Sequence, residues 1–318
     1  MLAGEEHNIT ISQDQVQQFL DHAAKEHDER VMKGEENGNL FPKPVYEEPP
    51  QEQRARMVQS RRKKVANFAA LCRGEEMRGE IVHKLKCYHD TRNDPWFSLQ
   101  PVSVEQVHVS PDILLFHDII TKAELDDIKK TAGPLLARSQ VMGSRGGSSE
   151  VSTTRTSKTG WLQDSHSKTV EKLSGRISWV TGLATSTMDD DAELLQVANY
   201  MNGGHYNPHH DYVMREKVPD HMIFLPDKNL FIGDRVATWM FYMSDVAEGG
   251  RTVFPRIGAG VKPRAGSAVF WYNLLPNGDP DKLTLHGACP VLYGTKWVAN
   301  KWIREGAQLF RRPCPLTK

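Results

Sequence analysis

The hydrophobic pattern changes character along the chain. From Ser12 to about Met32, Val16, Phe19, Leu20 and Ala23 recur at helical spacing between acids and amides, which predicts one amphipathic helix. Residues 34–50 carry glycines, asparagines and prolines with little apolar content, the composition of a linker rather than a core. Arg54–Leu71 is rich in good helix formers around Arg61-Arg62-Lys63-Lys64 and predicts a basic helix. Further on, Val107–Phe116 reads as a strand. Thr121–Ala132 reads as a helix with Ala123, Leu125 and Ile128 and an acidic first turn, and Lys168–Thr181 as another. Residues 143–159, dominated by Gly, Ser and Thr, show no period and read as a mobile loop.

After Asp191 the period shortens. Leu194–Tyr200, Val236–Ser244, Ser267–Tyr272 and Lys296–Ile303 are short runs rich in Val, aromatics and Met, with Gly and Pro in each gap. Short strands following helices predict an α+β fold whose core is a double-stranded β-helix, or jelly roll, with helices packed on one face.

Composition narrows the function classes. A chain of 318 residues is long enough for one large domain or two smaller ones. Lys plus Arg and Asp plus Glu both number 40, so no global field steers it towards nucleic acid or a membrane. The basic helix could be a nucleic-acid or localisation patch, but without interleaved aromatics it reads better as a solvated face. Asp189-Asp190-Asp191 lacks the glycine and glutamate spacing of a calcium loop and reads as a solvated turn. No apolar run approaches a membrane span. The first residues lack the basic and apolar regions of a secretory signal.

Cys72, Cys87, Cys289 and Cys314 have no CxxC or zinc-type spacing, which favours two disulfides over a metal cluster. Disulfides need an oxidising compartment. With no signal visible, either the sequence begins at the mature chain or export is unconventional. Asn8-Ile9-Thr10 is a glycosylation sequon that matters only in the secretory pathway.

The chemistry gathers at Tyr206-Asn207-Pro208-His209-His210-Asp211. On an extended strand His209 and Asp211 project to one side and His210 to the other. With His286 further on, two imidazoles and a carboxylate would hold one ion and leave coordination positions open, the signature of non-haem Fe(II) oxygenases. The competing reading of His209 is a hydrogen-bonded loop histidine. Lys296 lies between two strand-like runs, where a buried ammonium demands an anion, and a bound dicarboxylate would supply one. Its competing reading is an exposed lysine after Gly294-Thr295.

A longer ordered series carries a resemblance. It comprises Gln196-Val197-Ala198-Asn199-Tyr200, Tyr206 with Pro208, His209 and Asp211, Trp239 with Phe241-Tyr242-Met243-Ser244-Asp245-Val246, and Gly249-Gly250 followed by Thr252-Val253-Phe254-Pro255. It continues through Ala268-Val269-Phe270-Trp271-Tyr272-Asn273, His286 with Ala288-Cys289-Pro290-Val291-Leu292, Lys296-Trp297-Val298 and Phe310-Arg311-Arg312-Pro313-Cys314. In these motifs residues 68–318 resemble the catalytic domain of collagen prolyl 4-hydroxylase alpha subunits, a family of Fe(II)- and 2-oxoglutarate-dependent dioxygenases. Residues 1–67 would then be an appended helix, Pro-rich linker and basic helix.

The resemblance implies that His209, Asp211 and His286 hold iron and that Lys296 binds the distal carboxylate of 2-oxoglutarate. It implies Tyr206 and Thr252 at the co-substrate or peptide pocket, and Arg235 and Trp302 at the peptide. The bland readings are a core aromatic for Trp302 and a surface cation for Arg235. The implied reaction uses O2 and 2-oxoglutarate to hydroxylate peptidyl proline at C4 in collagen-like chains, giving succinate and CO2, with ascorbate as reductant. The resemblance further implies disulfides Cys72–Cys87 and Cys289–Cys314 and a place in the endoplasmic reticulum lumen or outside the cell. The family's separate domain that grips proline-rich peptides has no counterpart in residues 1–67, which puts tight binding of long polyproline stretches in doubt. A complex with protein disulfide isomerase is in doubt for the same reason. Two other readings stay open: a prolyl 4-hydroxylase of non-collagen proteins, and a non-catalytic peptide-binding module.

Overall fold

The computed structural model describes residues 25, 51–75, 77–91, 98–142, 149–151, 155–212 and 232–312. All but Lys25 of the helix expected at Ser12–Met32, the linker, Asn8 and Cys314 lie outside these residues. The chain divides into two compact units, Met1–Arg61 and Arg62–Lys318.

Helix α1 spans Gln51–Cys72, and its basic side chains at Arg62 and Lys63 are exposed. Two antiparallel strand pairs follow from β1 (Cys87–Asp90), β2 (Val102–Val109) and β3 (Asp112–His117). The single strand expected at Val107–Phe116 is therefore two. The turn at Ser110-Pro111 reverses the chain there, because Pro lacks the N–H that a continuing ladder requires. Helix α2 (Lys122–Ala132) starts where expected: Thr121 accepts from the Glu124 N–H while Glu124 accepts from the Thr121 N–H, a reciprocal cap for two otherwise unpaired donors.

The next strands are β4 (Ala137–Arg138), β5 (Gln140–Met142), β6 (Ser149–Val151) and β7 (Lys158–Leu162). The stretch read as a loop over 143–159 thus contains strand residues at both ends of its second half. Here sheet neighbours override a sequence with no period of its own. Helix α3 (Lys168–Thr181) is capped by Ser167 and stops at Gly182, whose φ of 74° is a left-handed conformation that suits glycine. Arg176 of α3 pairs with Glu124 of α2 at 2.7 Å.

The remaining strands are β8 (Leu195–Tyr200), β9 (Tyr206–His209), β10 (Arg235–Tyr242), β11 (Glu248–Gly249), β12 (Thr252–Phe254) and β13 (Ala259–Val261). They are followed by β14 (Ala268–Tyr272), β15 (His286–Ala288), β16 (Val291–Tyr293) and β17 (Lys296–Arg304). A large antiparallel sheet has the order β1-β2-β3-β14-β10-β17-β8-β7-β4, and a smaller one the order β13-β12-β15-β9. Alternation along the central strands builds two cores. Ala237, Trp239 and Phe241 of β10 pack with Leu125, Ile128, Leu173 and Ile177 of the helices. Met240 and Tyr242, with Val269, Trp271 and Val298, pack with Phe254, Ala259 and Val261 of the small sheet. This is the jelly roll with helices on one face, and the cavity between its sheets is where function would sit.

The expected Cys72–Cys87 disulfide is overturned. Cys72 is bonded to Cys289, with Cα atoms 5.4 Å apart, and Cys87, exposed on β1, has no disulfide partner among the described residues. Packing explains the choice. Phe68 and Leu71 on the last turns of α1 bury against Val253 and Cys289 of the small-sheet side, which carries Cys72 to Cys289. The expected Cys289–Cys314 pairing falls with it.

Candidate metal and co-substrate site

His209 and His286 meet because their strands pair: in the β9–β15 ladder they stand directly opposite, with ring centroids 4.5 Å apart. Strand β9 ends at His209, so Asp211 reaches the site from a bend rather than from the strand alternation expected for it. The outcome is the same juxtaposition. One donor atom from each of the three residues lies within 4.8 Å of the others. Asp211 Oδ1 is 3.6 Å from His209 Nε2, and its Oδ2 is 3.6 Å from His286 Nε2.

The tautomers follow from the backbone. His209 Nδ1 is 2.8 Å from the Asn207 carbonyl oxygen, and His286 Nδ1 is 3.0 Å from that of Thr284. A carbonyl only accepts, so both Nδ1 atoms carry hydrogen, and Nε2 is the atom each ring turns to the shared space. Burial is the largest influence on His286 and pushes its pKa down to about 4 against the pull of Asp211, so it is neutral near pH 7. Burial alone would raise the Asp211 carboxyl, but the facing His286 and His209 and the nearby Arg235 hold it well below the usual carboxylate range. Two imidazoles and one carboxylate, aimed at a common point, fit a divalent transition metal with open positions.

Lys296 begins β17 and is 1% exposed, which excludes the exposed-turn reading. Its ammonium donates to Thr252 Oγ1 at 3.1 Å, and the Tyr200 and Tyr242 rings lie 5.8 and 5.7 Å away. No carboxylate pairs with it among the described residues, and burial brings its pKa down to about 7. A buried cation flanked only by a hydroxyl and ring faces is a receptor for an anion.

All eight expected site residues line one cavity of about 620 Å³. Alternation places Lys296, Val298, Asn300, Trp302 and Arg304 of β17 on its wall. Tyr206 stacks on His209 at 3.7 Å. Arg235 is neither a surface cation nor in step with its strand. A register shift between Arg235 and Ala237 turns it from the helix-facing row into the cavity, as bulges do. There it lies 3.9 Å over the Trp302 ring and forms a two-pronged pair with Glu193, which also meets Arg304 at 2.9 Å. Trp302 is largely buried, and its indole N–H finds no acceptor among the described residues. That makes it a cavity wall with a spare donor, not simply a core aromatic.

Several wall residues had no expectation attached. Thr238 donates to Asp211 Oδ2 at 2.7 Å, Asn273 donates to Thr238 Oγ1 at 2.8 Å, and Trp271 donates to Asn273 Oδ1 at 2.8 Å. Strand parity within the run Val236–Ser244 was the available signal for Thr238, which shares a face with Met240. Arg155 is buried, donates to Gln196 Oε1 at 2.7 Å and lies 4.9 Å over the Tyr206 ring. It comes from the stretch without periodicity, where no signal marked it. His205 is half-buried and bonded to Thr156, outside the cluster of three.

Residues 195–304 match the family model described as the 2OG-Fe(II) oxygenase superfamily. Over 254 residues, 79% of this chain and 46% of the relative, the sequence is 46% identical to prolyl 4-hydroxylase subunit alpha-1 of Homo sapiens. It is 41% identical over 255 residues, 78% of this chain and 44% of the relative, to subunit alpha-2 of Caenorhabditis elegans. The chain therefore spans about half the length of the curated relatives it matches. A viral collagen prolyl hydroxylase from Paramecium Bursaria Chlorella virus-1 superposes with a TM-score of 0.46 at 25% identity, covering 60% of this chain and 95% of that one. Residues 195–304 thus form a domain of the 2OG-Fe(II) oxygenase superfamily, in a chain similar to prolyl 4-hydroxylase alpha subunits over 79% of its length.

Proposed function

We propose that residues 68–318 form a catalytic domain that hydroxylates peptidyl proline at C4 in collagen-like chains, using Fe(II), 2-oxoglutarate and O2. The observation that carries this reading is a buried lysine with no carboxylate partner among the described residues, in the same cavity as a His209, Asp211 and His286 cluster whose donor atoms lie within 4.8 Å of one another. His209, Asp211 and His286 would hold iron, and Lys296 with Thr252 would hold the distal carboxylate of 2-oxoglutarate. Bound iron would supply the redox chemistry that couples oxidative decarboxylation of 2-oxoglutarate, to succinate and CO2, to proline hydroxylation.

The chain's own residues do the rest. The carbonyls of Asn207 and Thr284 fix the imidazole tautomers, and Thr238 fixes the carboxylate. Lys296, itself buried, orients the co-substrate by charge. Tyr206, Arg235 and Trp302 line the same cavity, where a peptide would bring its proline. The spare Trp302 N–H suits a peptide carbonyl, and the rigid wall aligns the reacting carbon.

Ascorbate belongs to this reading as the reductant that restores iron after turnovers without peptide. A place in the endoplasmic reticulum lumen or outside the cell accords with the Cys72–Cys289 bond. Protein disulfide isomerase is the partner to look for. Hydroxyproline at the Y position would strengthen the triple helix of the product.

The test is mass spectrometry of Gly-X-Y and other proline-containing peptides incubated with the protein, Fe(II), 2-oxoglutarate and ascorbate. Gain of one oxygen on proline of Gly-X-Y peptides, absent with His209→Ala, is the expected result. Modification confined to the other peptides would move the substrate to non-collagen proteins. Peptide binding without any oxidation would leave only a peptide-binding module.

A further inference from the structure

A second cavity of about 620 Å³ opens behind the strand that carries Thr252. Neighbouring residues on an extended backbone point to opposite faces, so while Thr252 meets Lys296 inside the jelly roll, Arg251 faces this other space. The walls come from β2, β3, β13 and the turn after it, and none of them lines the oxygenase cavity. Arg78, Arg251, Lys262 and Arg264 face it against two carboxylates, Glu105 and Asp245.

Both carboxylates are already engaged. Glu105 Oε2 lies 3.0 Å from His117 Nε2, and Asp245 Oδ1 accepts the Ala265 N–H at 2.9 Å. The cations are less well served. Among the described residues Arg251 makes one 3.4 Å bond, to the Gly260 carbonyl, and its shielded Nε finds no acceptor. Lys262 and Arg264 are exposed side chains with no acceptor or carboxylate partner among the described residues. A guanidinium has five donors, and half-buried Arg251, with one long bond among the described residues, has donors to spare. Converging cations with spare donors, in a concave site with its acids occupied, recognise an oxyanion.

We propose that this cavity is a binding site for a tetrahedral oxyanion, a phosphate group held by Arg251, Lys262 and Arg264. The group could be free phosphate or a phosphoryl ester on a small molecule, since both offer the same oxygens. The site is separate from the oxygenase reading and stands whether or not that reading does.

The experiment is calorimetric titration and thermal unfolding with inorganic phosphate and with glycerol 2-phosphate, against chloride at matched ionic strength. Saturable heat and a raised Tm are expected for the natural chain and for Lys296→Ala, which keeps this cavity intact. Binding at least about tenfold weaker is expected for Lys262→Glu with Arg264→Glu, with unchanged 2-oxoglutarate turnover. Tighter binding of the ester than of phosphate identifies a phosphoryl ligand, and the reverse identifies the free ion. A phosphate response no greater than chloride, or one that survives the double substitution, overturns the proposal. So does one lost in Lys296→Ala, which would place the ion in the oxygenase cavity.

Discussion

The Thr238 hydroxyl donates to Asp211 Oδ2 at 2.7 Å while its own oxygen accepts from Asn273. The carboxylate of the proposed iron site is thereby fixed by a strand residue that is not itself one of the three donors. Thr238→Val keeps the shape and removes the donor. We expect metal affinity to fall about 10- to 100-fold, the usual cost of losing such a partner, and stability to fall by about 1–3 kcal/mol as Asn273 loses its acceptor. Equilibrium dialysis with Fe(II) or a surrogate, together with urea unfolding, measures both. Unchanged metal affinity would show that the hydroxyl does not position Asp211.

Lys296 makes co-substrate binding depend on pH. In the folded chain without an anion its pKa is about 7, because burial disfavours the charge. Below pH 7 the ammonium is already formed, and a carboxylate binds without proton uptake. Above pH 7 binding must take up a proton, so affinity for 2-oxoglutarate should fall by up to about tenfold per pH unit. Stability of the anion-free chain has the opposite slope. The unfolded lysine keeps its proton to a higher pH than the folded one, so this residue makes the fold more stable as pH rises above 7. Calorimetry at pH 6 and pH 8.5 in buffers of different ionisation heat reads the proton uptake directly. Lys296→Ala should abolish that uptake and raise the 2-oxoglutarate KM.

Arg235 should govern peptide use rather than co-substrate use. Its guanidinium joins Glu193 to the Trp302 face, so Arg235→Ala frees the indole and unbalances Glu193, though Arg304 still meets that carboxylate. A rise in peptide KM of about tenfold, equivalent to about 1.4 kcal/mol, is expected with little change in uncoupled 2-oxoglutarate turnover. Steady-state kinetics with and without peptide separate the two. A normal peptide KM would remove the assigned contact.

Gly287 is the point where α1 meets the small sheet. A Cβ there would lie 2.8 Å from Phe68 Cε2 and 3.0 Å from the Tyr206 carbonyl oxygen. Gly287→Ala should therefore destabilise the fold by about 1–3 kcal/mol through overpacking. The same change with Phe68→Ala should be less than additive, because the shared clash is gone. Strict additivity in a double-mutant cycle would place the strain elsewhere.

Helix limits were largely legible because capping and amphipathicity are local. Apolar spacing placed α2 and α3 within a residue of their observed ends, where Thr121 with Glu124, and Ser167 with Gly182, cap them. Strands in the second half were legible for a similar reason, since β-branched and aromatic runs between glycines and prolines leave few alternatives. The hairpin of β2 and β3 was not: the apolar pattern continues through Ser110-Pro111, and the reversal depends on pairing across the turn.

What the sequence by itself supplied was a candidate donor set and its order: His209, Asp211, His286 and Lys296. Residue types and spacing nominate such a set, because ligand chemistry is a property of short segments. What only the tertiary structure decided were the relations between distant segments. Arg235 reaches the cavity through a register shift between paired strands, and Arg155 arrives from a stretch with no pattern. Cys72 bonds to Cys289 because Phe68 and Leu71 bury where they do. Each of these rests on packing between elements far apart in the chain, and local periodicity carries no information about it.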